Sequence, residues 1–144
     1  MKPSTHTLLA RLAIGLVFLW NIQCAFAFLL WPDRFTAGFE LIGTAGEAAL
    51  RGVGVLFLMW NIPYAVALWH PMRYRVSLYE ATAMQAIGLL GEILICLGLP
   101  TSHNVLQTSL LRFIAFDGAG LVLLSLAVWL VRRATFPEPA PGMI

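Results

Sequence analysis

At 144 residues and a formal net charge of +2, with 60% hydrophobic and only 11% charged residues, the chain has a mean hydropathy of +0.82 and falls outside the range of soluble globular domains. The small positive excess forms no basic stripe, which argues against nucleic acid as a partner. The composition instead points to the lipid bilayer.

Four apolar stretches, residues 8–31, 51–69, 76–99 and 109–131, are each close to the ~20 residues that cross a hydrocarbon core of about 30 Å. They predict an all-α fold, a four-helix transmembrane bundle. Residues 1–131 form a single four-span membrane domain, and the proline-rich "RRATFPEPAPGMI" at 132–144 forms an extended cytoplasmic tail. In the first span, Lys2 precedes the apolar run and "AFA" at 25–27 imitates a signal-peptide cleavage site. The run is too long for a signal peptide and continues through "FLLW", so it predicts a retained helix.

The loop between spans one and two, "PDRFTAGFELIGTAGEAAL", places Phe35, Phe39 and Ile42 at helical spacing beside Asp33 and Arg34. A short amphipathic outer helix is predicted, resting its aromatics on the headgroups; a lid over the bundle is the second reading. Span two repeats span one: "RLAIGLVFLWNI" at 11–22 returns as "RGVGVLFLMWNI" at 51–62. The repeat suggests that Asn21 and Asn61 hydrogen-bond across the bundle. Pro63 removes a helix hydrogen bond, frees the Met59 carbonyl and predicts a kink near Asn61. On span three, Gln85 and Glu92 superpose at 100° per residue with Gly88 close by, a stripe that should face the bundle. On span four, Asp117 is followed by "GAG", small residues that admit a neighbouring helix.

These polar positions fall into layers. Arg51, Glu92, Arg112 and Asp117 share the outer half of the membrane, and Arg11 and Glu80 lie at comparable depth near the inner ends of spans one and three. An unpaired charge at depth costs several kcal/mol or is neutralised, so pairing is the default. At least one of Glu92 and Asp117 is expected within salt-bridge reach of Arg51 or Arg112, and Glu47 can also reach Arg51 at i, i+4. Arginines that snorkel to the headgroups would explain themselves, but not the two acids.

Orientation follows the basic residues. With the N-terminus inside, Lys2, Arg11, Arg73, Arg75, Arg132 and Arg133 are cytoplasmic against Arg34, Arg51 and Arg112 outside, six to three. The expected location is the cell membrane, multi-pass, with both termini cytoplasmic. Cys24 and Cys96 differ by roughly 6 Å in height on separate helices and read as small buried hydrophobes. His6, His70 and His103 are scattered, and no metal, haem or other cofactor is implied. There is no phosphate loop and no "GxSxG" elbow, so no catalytic residue can be named.

The "PDRF" loop, the span "RGVGVLFLMWNIPYAVALWHP" and the span containing "AIGLLGEILICLG" together resemble the DoxX-like family of small bacterial membrane proteins. The resemblance covers most of the chain and rests on Arg, Gly and Pro placements in apolar helices. It implies a four-helix bundle of the inner membrane and, from members that are subunits of quinone-linked sulfur oxidation, a redox association. Two functions follow. The first and preferred one is a non-catalytic membrane subunit or partner of a redox-linked complex, or a homo-oligomer, whose charges are internal ties. The alternative is binding or transport of quinone or a small solute through Arg51, Glu92, Arg112 and Asp117. A dry, fully paired cluster supports the first, and unpaired groups in the bundle support the second.

Overall fold

The computed structural model describes residues 5–135. Within them four helices follow one another up and down: α1 (Thr5–Leu30), α2 (Gly43–Trp69), α3 (Arg75–Gly98) and α4 (Asn104–Thr135). Each is long and apolar enough to cross a membrane. This is a multi-pass membrane bundle. Prolines set three of its boundaries: α1, α2 and α3 stop just before Pro32, Pro71 and Pro100, because a residue preceding proline is pushed out of the helical region. Pro63 does not stop α2, which remains helical through it. Of the expected tail, 132–135 continue α4, while 136–144, like Lys2, lie outside the described residues.

The helices form a ring in which α1 packs on α2 and α4, and α3 on α4 and α2; α1 and α3 are diagonal, as are α2 and α4. Alanines allow the close approach that membrane helices need without a hydrophobic drive between them. Ala10, Ala13, Ile14 and Val17 of α1 meet Tyr64 and Ala67 of α2, Leu78 and Ala81 of α3, and Leu124, Ala127, Leu130 and Val131 of α4. Every one of these residues lies at the level of Tyr64 or nearer the end where α1 begins. Toward the other end, α1 and α2 touch at Gly54, where a Cβ would stand 2.9 Å from the Ala25 carbonyl oxygen. Large apolar side chains such as Leu12, Leu19, Ile62, Leu94 and Val122 point outward, as a bilayer-facing surface requires.

The loop between α1 and α2 departs from the expected amphipathic helix. It is two 3-10 turns, Pro32–Arg34 and Thr36–Phe39. Glu40 at φ 54° is left-handed, which breaks the helical spacing and leaves Ile42 88% exposed. Phe35 and Phe39 turn inward, their ring centroids 5.3 and 5.7 Å from that of Phe28, and Phe57 and Phe113 complete an aromatic cluster at 6.1 and 6.3 Å. The loop roofs the bundle.

Candidate functional site

Beneath this roof each helix contributes one polar side chain to a continuous chain of hydrogen bonds. The Tyr64 hydroxyl donates to Gln85 Oε1 at 2.6 Å. The Gln85 amide then donates to Asp117 Oδ1 at 3.0 Å, with the Asp117 carbonyl oxygen at 3.4 Å. Asn21 of α1 lies within electrostatic reach of the same Tyr64 hydroxyl, whose oxygen is left to accept because its one proton is committed to Gln85. The bonds thus point one way, from α2 through α3 to the acid on α4, with Asn21 of α1 at their head, an arrangement in which each bond polarises the next.

Two glycines clear the space for this relay. A Cβ on Gly120 would come within 2.6 Å of the Gln85 amide nitrogen, and one on Gly88 within 2.9 Å of Asp117 Oδ2. Gln85 is buried. The stripe that superposes Gln85 with Glu92 therefore faces inward, and Glu92 Oε2 is itself buried with no hydrogen-bond partner among the described residues. Glu92 is seven residues, or about 10 Å, further toward the roof than Gln85. It shares an electrostatic neighbourhood with Asp117 and with the thiol of Cys24. Cys24 and Cys96 are free and half-buried.

The arginines are elsewhere. Arg51 is exposed and pairs one turn back with Glu47 at 3.6 Å. Arg112 is exposed, and among the described residues no acid lies within salt-bridge distance of it. The expected pairing of Glu92 or Asp117 with either arginine is therefore absent. Both guanidinium groups occupy outward helix faces, where water and headgroups solvate them more cheaply than a buried partner would. Arg11 and Glu80 are also exposed and apart, since α1 and α3 are diagonal.

The expected bond between Asn21 and Asn61 does not form either. Asn61 donates its amide to the Phe57 carbonyl of its own helix at 2.7 Å, and its Oδ1 is buried and accepts from no group among the described residues. Tyr64, the residue sequence reasoning passed over, takes the role of partner to Asn21. Its signal was available: a hydroxyl three residues after Asn61 lies on the same helix face and, once buried, requires a partner.

The roof is clasped to the start of α4. Glu40 Oε1 accepts from the Leu106 backbone N–H at 3.2 Å, its Oε2 meets His103 Nδ1 at 2.5 Å, and Ser109 Oγ donates to the Gly38 carbonyl at 2.6 Å. A carboxylate at a helix N-terminus satisfies an orphan donor and the positive end of the dipole together. The His103 contact first, and the Leu106 N–H second, hold the Glu40 carboxyl below its ordinary value of 4.5.

No family model matches the chain, and no curated protein or solved structure matches it. The arrangement of its own residues is accordingly the basis for a functional reading.

Proposed function

We propose that this integral membrane protein binds a small solute that donates hydrogen bonds or carries positive charge, between Glu92 and Asp117 beneath the aromatic roof. The observation that carries this reading is the buried Glu92 Oε2, unpartnered and near a second carboxylate, with no basic residue within salt-bridge distance of either among the described residues. A buried unpaired carboxylate oxygen is costly unless something arrives to satisfy it. The inventory favours a donor: Tyr64 and the Gln85 amide already spend their protons within the relay, whereas the unmet atoms, Glu92 Oε2 and Asn61 Oδ1, are acceptors. A quinone offers carbonyl acceptors and matches only a protonated Glu92; a hydroxyl, an ammonium or a metal cation matches the ionised carboxylate.

The sequence favoured a non-catalytic subunit whose charges tie the bundle, and that reading relied on acids paired with arginines. The DoxX-like resemblance and a redox-linked partner stand as the alternative, tested by co-purification from native membranes. The solute site is tested by thermal unfolding of the purified protein in micelles titrated with sodium, methylammonium or ethylene glycol. At least one of these is expected to raise the Tm saturably, with the rise abolished in Glu92→Gln and Asp117→Asn. A wild-type protein indifferent to all three, or variants that respond as the wild type does, would overturn the reading.

A further inference from the structure

Away from the relay, between α3 and α4, a groove of about 380 Å³ opens on the outer face of the bundle, within the size range of ligand sites. Its walls are small or aliphatic: Ala83 and Ala86 on α3, Leu121 and Val128 on α4. At its end, on the side where α1 begins and α4 ends, stand Tyr79 and Arg132. The Arg132 guanidinium lies over the Tyr79 ring at 5.6 Å and its Nε reaches the Tyr79 hydroxyl at 3.5 Å. Arg132 is exposed, no carboxylate lines the groove, and among the described residues none lies within salt-bridge distance of this arginine.

We infer that this groove is a binding site for one anionic phospholipid, an acyl chain lying along the alanines and the phosphate received by Arg132. Three features converge. The groove opens sideways to where acyl chains are, a shallow apolar channel suits a flexible chain, and the one charge at its mouth is a cation held in place by an aromatic ring. A guanidinium offers paired donors to a phosphate that a lone ammonium does not, and basic pockets between membrane helices are suited to anionic headgroups. Arg133 provides an internal control: it carries the same charge one residue on but stacks on Trp129 at 4.2 Å and does not line the groove.

The test is native mass spectrometry of the purified protein in a non-ionic detergent, titrated with phosphatidylglycerol or with phosphatidylcholine of identical chains. Phosphatidylglycerol is expected to bind about fivefold tighter, the ratio equivalent to one basic residue near a headgroup. Arg132→Gln should abolish that preference, while Arg133→Gln should keep it. Ala83→Leu, at an exposed position that fills the groove without entering the core, should weaken both lipids. Equal binding of the two lipids by the wild type, equal losses in the two arginine variants, or displacement of the lipid by inorganic phosphate would each overturn the inference. The first outcome would leave no recognition of headgroup charge, the second only diffuse surface charge, and the third a site for a free anion. None depends on the Glu92 site.

Discussion

The two halves of the bundle are built on opposite terms. From Tyr64 toward the chain ends, the interior is alanine, leucine and valine, with Ile14, Leu78 and Leu124 fully buried. Toward the roof, the same four helices enclose phenylalanines, two carboxylates and acceptor oxygens that nothing among the described residues satisfies. A membrane protein gains no stability from burying an unmet acceptor. The half nearer the chain ends therefore carries the fold, and the half beneath the roof spends part of that stability on a polar interior, the trade common where a site is kept at the expense of packing.

Substitutions of opposite sign give the largest effect by which to break this contrast. Leu124→Ala in the dry half should cost about 2–5 kcal/mol in reversible micellar unfolding, whereas Glu92→Leu, which removes a stranded oxygen, should leave stability unchanged or raise it. Equal losses would abolish the distinction between the halves. Next in size, Gly120→Ala drives a Cβ toward the Gln85 amide; displacing it from Asp117 should cost about 1–3 kcal/mol, and Gln85→Ala in the same background should recover part of that loss. A third substitution separates surface from interior charge. Arg112→Gln is expected to change stability by no more than about 0.5 kcal/mol, as for other exposed positions, and a loss of several kcal/mol would mean that the arginine does tie the acids.

The smallest effect concerns the roof. Because its partners hold Glu40 below 4.5, the clasp contributes fully above that ordinary value and is lost as pH falls through the depressed one. Hydrogen-exchange protection of the Leu106 amide should therefore stay level from neutral pH to about 4.5 and decline below it. Glu40→Gln should make protection low and flat; a wild-type profile that is flat throughout would show that the roof is held by its phenylalanines alone.

The spans were legible because a bilayer leaves a length and composition signature, and the Gln85, Gly88 and Glu92 face because helical spacing projects directly onto direction. The pairing of charges was not legible. Depth alone put Arg51 and Arg112 beside the acids, but rotation about the helix axis, which puts the arginines outside and the acids inside, depends on how neighbouring helices pack. The Asn repeat misled for a similar reason: shared sequence gave each helix an amide without fixing what it would face, and Tyr64 was nearer. The clasp from Glu40 to the start of α4 joins residues more than sixty apart and follows from no local pattern.

The relay divides along the chain's two hairpins: Asn21 and Tyr64 belong to α1 and α2, Gln85 and Asp117 to α3 and α4. Each hairpin thus holds its own polar pair, and Asp117, the acid of the second, is met by Gln85 of the same hairpin. Within the relay, the Tyr64 to Gln85 bond is the link between the two hairpins, so a rotation of one hairpin against the other would break it.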